Sequence, residues 1–427
     1  MTIKHIGKTI LCVLLESQVK RLRKRHEIKI VAVIGSVGKT STKLAIAKML
    51  NHSQPVIYQD GNYNDRLTVP LVLFGRTEPS IFNVLAWFKI LLANERAIRS
   101  QYPYKIAVLE LGTDGPGQLV AFEYLHPDIT VVTSIAAEHM EYFGTLNAVA
   151  EEELVPLGFS KQALLNVDDI PHKYLPDINY LSYGSKEQAT YWLSKREQTN
   201  LQGQELVIND GDESLVLQTV LLGMQGAKAV MAAAVVGKQL GYSDESITAG
   251  IAQVTPVAGR SQVLPGLNQS LLIDDTYNAS PIAVRAALEV LYSVEAPQRI
   301  AILGTMNELG TISNDEHIAI GAYCDSTKLD LVVTIGDVAE EYLAPAAQKA
   351  GCTVMSFTSP YEAGAYVRDQ LKPGAVVLAK GSQNGVFSEE ALKFLLQNPA
   401  DKSKLVRQSA HWLGIKKSQF PENVPAP

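Results

Sequence analysis

The sequence predicts an α/β fold built on two parallel sheets. Short apolar runs alternate with stretches of helical spacing from residue 28 onward, which is typical of parallel strands joined by crossover helices. The alternation pauses at Pro256 to Arg260 and then starts again. With 427 residues, the chain is also too long for a single core of ordinary size. Two α/β domains are therefore expected.

The predicted strands of the first sheet are the apolar runs at 28–34, 105–111, 128–134 and 163–166. A polar stretch at 190–220 indicates a small strand-rich insertion, and the alanine-rich residues 226–240 indicate a helix. The second sheet is predicted from the runs at 271–275, 299–303, 329–335, 353–357 and 375–379. These elements divide the chain into an N-terminal helical segment (1–27), a central domain (28–258) and a C-terminal domain (259–427).

The composition is that of an ordinary globular protein, with 46% hydrophobic and 19% charged residues. The formal net charge of -6 argues against nucleic acid as a partner, because proteins that bind it usually carry a basic face. The three cysteines, Cys12, Cys324 and Cys352, lack the spacing of a zinc site or a disulfide framework. A monomer in the reducing cytoplasm is expected.

The N-terminal segment combines an apolar run, Ile10 to Leu15, with the basic run Lys20 to Arg25. The apolar run is too short to span a bilayer, and the order of charges is the reverse of a secretory signal. The N-terminal segment has two interpretations. We favour a helix docked on the protein, and the alternative is an amphipathic helix that makes peripheral contact with anionic lipid.

The segment Gly35-Ser36-Val37-Gly38-Lys39-Thr40-Ser41 has the pattern of a phosphate-binding loop between a strand and a helix. Backbone N–H groups of such a loop bind phosphate, and Lys39 would reach the β and γ phosphates of ATP. The hydroxyl of Thr40 would bind Mg²⁺. Val33 or Ile34 stands where the longer pattern has its first glycine, so the loop is of a shortened type.

Two further strand ends carry candidate metal ligands. Glu110 ends an apolar run and precedes Gly112, so its carboxylate could complete the Mg²⁺ shell that Thr40 begins; the alternative is a helix-capping acid. His139 follows the run that ends at Ser134. Taken alone, a histidine there is more often a hydrogen-bonded structural residue than a ligand.

Two polar clusters resemble loops at a ligand site. Gly61-Asn62-Tyr63-Asn64-Asp65 is a turn-forming cluster, and a plain surface loop is its simpler interpretation. The segment 274–281 places Asp274 and Asp275 at the end of an apolar strand, ahead of a helix that starts with a proline. That arrangement is typical of a ligand-facing strand exit in an open sheet.

Taken together, these segments resemble the Mur ligase family, the ATP-dependent ligases that add amino acids to the peptidoglycan stem peptide. The resemblance covers nearly the whole chain after residue 28, and the matching pieces come in the family's order. They are the segments 35–41, 61–65, 110–112, 138–145, Gly259-Arg260, 274–281, Gly304-Thr305-Met306-Asn307-Glu308-Leu309-Gly310, His317 and Lys380-Gly381-Ser382.

The resemblance implies a central P-loop ATPase-like domain with a parallel sheet, a C-terminal Rossmann-like domain, and the cofactors ATP and Mg²⁺. Thr40 and Glu110 would hold one Mg²⁺, and His139 would help to hold a second. The nucleotide would also be contacted by Arg260, Asp274, Asp275, Tyr277 and Asn278. The substrates, an acyl peptide precursor and an amine, would be bound near Asn62, Asn64, Asn307, Glu308, Lys380 and Ser382.

The activity implied is amide-bond formation, in which a carboxylate is phosphorylated by ATP and an amine then displaces the phosphate. The motifs around Asn278 and Asn307 are most similar to those of the members that attach D-alanyl-D-alanine to a muramoyl peptide. Alternatives are a family ligase for another acid and amine, of the poly-γ-glutamate or folate type, or a regulatory ATP-binding protein without turnover.

Three departures from the family pattern are visible. The phosphate loop comes so early that we expect the usual N-terminal UDP-binding domain to be missing. Ala229 stands where an asparagine is often found. Glu153 stands where most family members carry a lysine that becomes a carbamate and binds the second Mg²⁺. Glu153 is therefore predicted to supply that ligand; the alternative is a solvated helix start at 151–153.

Overall fold

The computed structural model describes residues 3–61 and 63–421 and contains two sheets. The first has nine strands in the order β2-β3-β1-β4-β5-β6-β7-β8-β9. The first seven strands in this order, from β2 through β1 to β7, are parallel. Strands β8 and β9 continue the edge of the sheet as an antiparallel meander. Their bounds are Lys29–Ile34 (β1), Val56–Tyr58 (β2), Ile106–Glu110 (β3), Ile129–Val132 (β4), Ala163–Asn166 (β5), Leu181–Gly184 (β6), Tyr191–Thr199 (β7), Gly203–Asp210 (β8) and Glu213–Thr219 (β9).

The second sheet has six strands in the order β10-β11-β15-β12-β13-β14. All are parallel except β10, which pairs antiparallel with β11 at one edge. Their bounds are Gln262–Pro265 (β10), Leu271–Asp275 (β11), Arg299–Gly304 (β12), Leu331–Ile335 (β13), Val354–Phe357 (β14) and Val376–Lys380 (β15).

Helices cover the faces of the two sheets. Those of the first part are Ile3–His26 (α1), Lys39–Asn51 (α2), Thr68–Leu73 (α3), Val84–Arg99 (α4), Met140–Phe143 (α5), Leu146–Leu154 (α6), Gly223–Gln239 (α7) and Asp244–Ile251 (α8). Those of the second part are Pro281–Tyr292 (α9), Ser313–Tyr323 (α10), Ala344–Lys349 (α11), Pro360–Gln370 (α12), Glu389–Lys393 (α13) and Ala410–Gln419 (α14).

The predicted α/β class with two parallel sheets is confirmed. Every apolar run predicted as a strand overlaps one, and residues 190–220 form the β7-β8-β9 meander. The short strands β2, β6 and β10 were not predicted. The domain bounds 1–27, 28–258 and 259–427 stay predictions.

Strand β1 shows why the apolar runs are continuous rather than alternating. Val31 and Val33 belong to the core on one face of the first sheet, under α2 and α7. Ile30, Ala32 and Ile34 belong to the core on the opposite face. Because both faces are covered, both sets of side chains must be apolar. The strand therefore delivers the next residue, Gly35, at a fixed place on the sheet's carboxyl edge.

The N-terminal helix α1 packs on the first part through one face. Leu15, Val19 and Leu22 are at most 1% exposed, and Arg23 forms a salt bridge of 2.8 Å with Asp128. The opposite face carries Leu14, which is 44% exposed. Among the described helices, none combines the length and apolar character needed to span a bilayer.

Docking of α1 is tested by comparing neighbouring leucines. Leu15→Ala should lower the free energy of unfolding by about 3 kcal/mol, because it leaves a cavity under the helix. Leu14→Ala is the matched control and should change it by less than about 0.5 kcal/mol. Urea denaturation gives both values, and equally small effects would show that α1 does not contribute to the core.

Candidate active site

The phosphate loop begins where β1 ends. Gly35 has a φ of 115° and Gly38 a φ of 90°, conformations that L side chains rarely adopt. A Cβ at Gly35 would come within 2.5 Å of Thr133 Oγ1 and 2.8 Å of the Ser134 nitrogen. Glycine is therefore required at position 35 both by the backbone angle and by the close approach of the chain after β4.

The residues after β4 hold the loop in place. Ser36 N–H donates to the Ser134 carbonyl at 3.0 Å, and Val37 N–H donates to Ser134 Oγ at 2.7 Å. In return, Ala136 N–H donates to Ser36 Oγ at 3.0 Å. These bonds fix the loop ahead of helix α2, whose N-terminal N–H groups favour an anion.

Lys39 lies in the loop itself. Its Nζ donates to the carbonyls of Gly35 and Ser36 and lies 3.5 Å from Glu138 Oε2. Burial disfavours the charged ammonium, but the nearby carboxylates, Glu138 foremost, outweigh burial and raise the pKa of Lys39. The side chain is therefore a cation at neutral pH, as contact with phosphate requires.

Glu110, at the end of β3, is 2% exposed and lies in a polar cluster. Its Oε1 accepts from Asn64 Nδ2 at 3.1 Å, and its Oε2 lies 3.3 Å from the ammonium of Lys43. Lys43 is fully buried, burial lowers its pKa, and it also donates to the Gly61 carbonyl at 3.1 Å. Lys43 was not predicted as a site residue, although it lies four residues after Lys39 on the same face of α2.

The residues present fit one Mg²⁺. Thr40 and Glu110 line the same cavity, and Glu110 Oε2 is buried with no hydrogen-bond partner among the described residues. Carboxylate and hydroxyl oxygens are the ligands that Mg²⁺ prefers. In residues 3–61 and 63–421, no group of three or more His, Cys, Asp or Glu side chains forms a metal site.

His139 joins the two parts of the molecule. Its Nδ1 lies 2.7 Å from Glu308 Oε2, on the loop after β12. That hydrogen bond raises the pKa of His139 against the opposing effect of burial, and it lowers the pKa of Glu308. The other nitrogen, Nε2, faces Glu138 and Asp114 at 3.9 Å each. A ring whose Nδ1 is held by a carboxylate can present Nε2 to a metal, so the second Mg²⁺ stays a prediction.

Glu153 is buried beside the phosphate loop. Glu152 and Glu153 are 5% and 4% exposed, so the solvated helix start is wrong for both. Glu153 Oε2 accepts from Gly35 N–H at 2.7 Å, and its carboxylate does not line the cavity. Burial raises its pKa to about 7, although Lys39 opposes the rise. The geometry makes Glu153 a support for the phosphate loop; its role as a metal ligand stays a prediction.

Glu153→Gln tests this placement through pH. The fold favours the protonated acid, so the wild type should lose stability relative to the variant as pH rises from 4.5 to about 7. Glutamine keeps an acceptor for Gly35 N–H. Melting temperatures measured across that range for wild type, Glu153→Gln and the exposed control Glu151→Gln give the answer. A pH-independent difference would contradict the prediction, and a sharply raised Mg²⁺ requirement would favour the metal-ligand role.

The second sheet supplies Arg260 and Tyr277. The guanidinium of Arg260 lies over the Tyr277 ring, 4.2 Å from its centroid, and both residues line the cavity with Asn278. Arg260 Nε is buried without a hydrogen-bond partner in the described part of the chain. A planar cation and an aromatic ring presented together suit a base, a ribose or a phosphate.

Asp275 and Lys380 form a buried pair at adjacent strand ends. Lys380 Nζ lies 2.7 Å from Asp275 Oδ2 and donates to the Asn278 carbonyl at 2.9 Å. Both residues line a smaller adjoining cavity of about 90 Å³, together with Ser41. Lys380 therefore reaches the site, but its ammonium is also committed to holding the segment after β11.

Asp274, predicted to contact the nucleotide, faces the protein instead. It is fully buried, and its carboxylate accepts from Gly259 N–H at 3.0 Å and from Thr276 Oγ1 at 2.6 Å. Burial raises its pKa to about 6. Arg407, which was not predicted as a site residue, donates to the carbonyls of Thr276 and Tyr277 and thereby holds the same turn.

The predicted amine-binding residues form a loop cluster beside His139. Asn307 N–H donates to Ser382 Oγ at 2.8 Å, and Asn307 Nδ2 donates to the Asn384 carbonyl at 2.6 Å. Buried His317 accepts from Met306 N–H at 3.0 Å, a supporting role. Asn62 lies outside the described residues.

A cavity of about 580 Å³ lies between the two sheets' carboxyl edges and collects most of the predicted residues. They are Ser36, Val37, Gly38, Lys39, Thr40, Asn64, Glu110, His139, Arg260, Tyr277 and Asn278. The volume is in the range of small-ligand sites. A phosphate loop on one sheet and a cation–aromatic pair on the other define a nucleotide-dependent enzyme of the phosphate-loop class.

Comparisons with known proteins identify the family. The family models for the Mur ligase middle domain and for the Mur ligase glutamate ligase domain match residues 33–237 and 259–383. The chain belongs to the Mur ligase family. The predicted resemblance is thereby confirmed, and the two matched regions carry the phosphate loop and the second sheet.

Similar proteins include two curated UDP-N-acetylmuramoyl-tripeptide–D-alanyl-D-alanine ligases. The one from Bacillus subtilis is 26% identical over 380 residues, covering 87% of this chain and 76% of the relative. The one from Haemophilus influenzae is 28% identical over 385 residues, covering 86% and 76%. The fold is similar to that of the MurF ligase from Thermotoga maritima in complex with ADP, with a TM-score of 0.73 at 23% identity over 91% of this chain and 83% of that one.

Proposed function

We propose that this protein is an ATP-dependent ligase that joins D-alanyl-D-alanine to a muramoyl-peptide carboxylate in peptidoglycan synthesis. The single observation that carries the proposal is the cavity in which Lys39, Glu110 and Arg260 meet from two sheets. Support also comes from the curated relatives, which are named for this reaction and share most of their length with the chain.

The reaction has two steps. The substrate carboxylate takes the γ-phosphoryl group of ATP to give an acyl phosphate, and the amine then attacks the acyl carbon and expels phosphate. Lys39 and the N–H groups at the start of α2 neutralise charge on the phosphoryl oxygens. Arg260 and Tyr277 hold the nucleotide from the second sheet. His139 bonds Glu308 of the other part beside the cavity, and closure of the site around the substrates would keep water from the acyl phosphate.

Mg²⁺ would be held by Thr40 and Glu110, and when bound it supplies positive charge to the phosphate oxygens. Lys43 positions Glu110 for that role. Its ammonium forms an ion pair at 3.3 Å with Glu110 Oε2, the buried oxygen that accepts no hydrogen bond from the described residues. Asn64 fixes the other carboxylate oxygen. The amine would approach from the side of Asn307, Glu308 and Ser382.

A substrate panel tests the proposal against its alternatives. Phosphate release from ATP should require both UDP-muramoyl tripeptide and D-alanyl-D-alanine, because the acyl phosphate forms on one and is consumed by the other. Folate-type and poly-γ-glutamate substrates serve as comparisons. Release with glutamate and one of those acids would place the chain with another branch of the family. ATP binding without release under every pairing would favour a regulatory protein.

Lys39→Ala should lower turnover by roughly 10² to 10³, because a charge contact with the transferred phosphoryl group typically contributes about 3 to 4 kcal/mol in the transition state. The fold should survive. Lys48→Ala is the matched control, since Lys48 lies on the same helix and bonds Thr255, away from the cavity. Ligase assays and melting curves on both variants decide, and near wild-type turnover in Lys39→Ala would overturn the phosphate-loop assignment.

A further inference from the structure

Helices α1 and α4 lie side by side on the surface of the first part and run in the same direction. Gln18 Nε2 donates to the Leu91 carbonyl at 2.9 Å, and Arg25 donates to the Arg99 carbonyl at 3.1 Å. These contacts join residues that are 73 and 74 positions apart. The two helices are therefore in a fixed register, in which each residue of α1 lies level with the residue about 74 positions later.

The first halves of both helices expose apolar side chains. Ile10 and Leu14 of α1 are 56% and 44% exposed, and Val84 and Phe88 of α4 are 77% and 57% exposed. The register places Ile10 level with Val84, and Leu14 level with Phe88. We call the combined surface the apolar patch, and its members are Ile10, Val13, Leu14, Val84, Leu85 and Phe88. Contiguous exposed apolar patches mark interaction sites.

The second halves of the same helices expose basic side chains, which we call the basic patch. Its members are Lys20, Arg21, Lys24, Arg25, Arg96 and Arg99. Glu16 and Glu95 are the only acidic residues in the sequences of the two helices. The sign of charge here is thus opposite to that of the whole chain, whose formal net charge is -6.

We propose that the apolar and basic patches of α1 and α4 together bind the anionic surface of a phospholipid bilayer. The apolar side chains would enter the boundary between headgroups and acyl chains, and the basic side chains would meet lipid phosphates. The contact is peripheral, because no described helix has the length and apolar character to span. A second copy of the chain fits less well, since the same face offers only Glu16 and Glu95 as acidic partners for the six basic side chains, and Glu95 already pairs with Arg21 and Arg99.

The binding face is already formed before any lipid arrives. The inward sides of the two helices are fixed by buried Leu15 and Trp87, which share one apolar cluster. An isolated amphipathic helix must pay for its own folding at the membrane, whereas this pair presents its side chains on a rigid support. The proposal concerns a surface apart from the nucleotide cavity, so it does not depend on the proposed function.

Flotation of the full-length protein with lipid vesicles tests the proposal. The protein should float with vesicles that contain phosphatidylglycerol and stay behind with vesicles of phosphatidylcholine alone, and salt should weaken the binding. Leu14→Gln/Phe88→Gln and, separately, Lys20→Glu/Lys24→Glu should each weaken binding by about tenfold or more. Turnover on soluble substrates should be unchanged in both double variants, because neither touches the cavity.

Matched controls separate this face from general effects of polarity and charge. Val216→Gln/Ile318→Gln removes exposed apolar side chains elsewhere, and Lys372→Glu/Lys402→Glu makes the same charge change elsewhere. Both controls should float like the wild type. No flotation with phosphatidylglycerol vesicles, or equal losses in patch and control variants, would overturn the proposal. If flotation is absent, ultracentrifugation shows whether the face is instead an interface between two copies, which would appear as a dimer that Leu14→Gln/Phe88→Gln dissociates.

Discussion

The site depends on one close approach, that of Gly35 to the chain that follows β4. No side chain fits between Gly35 and Thr133, so the phosphate loop lies directly against Thr133 and Ser134. The same contact brings Ser134 into hydrogen bonding with the loop. It also starts the path of the chain to His139, five residues further on. A wider spacing at this one point would displace both the loop and the histidine.

Around this contact the molecule buries charge in pairs. Lys43 with Glu110 beside the main cavity and Lys380 with Asp275 beside the smaller one are two such pairs. Taking such groups out of water is costly, and a buried pair is weak evidence for stability. Its value here is geometric, because each lysine holds a carboxylate or a turn at a fixed place. Arg407 forms another buried ion pair of this kind. It lies 2.6 Å from Glu389 and also holds the turn after β11.

The two sheets hold their cavity residues with different rigidity. The first brings the loop and Glu110 on strand ends buried on both faces, where backbone bonding leaves little freedom. The second brings Arg260 and Tyr277 on turns, and its loop cluster meets the first part at the His139–Glu308 contact and where Gly310 lies against Met140 and Glu141. A reaction through an acyl phosphate needs both exclusion of water and release of product. A contact confined to these few residues can open for product release and close for the reaction.

The sequence by itself determined the α/β class, the phosphate loop and the strand ends at Glu110 and Asp275, because these follow from local patterns of apolar runs and glycines. It also determined the family, because its motifs come in a recognisable order. Only the tertiary structure decided which side chains face the cavity. Asp274 and Asp275 are neighbours in one strand, and alternation sends one into the protein and the other toward Lys380. Glu153, Lys43 and Arg407 find their partners 118, 67 and 18 or more positions away, and no local pattern in a sequence records such distances.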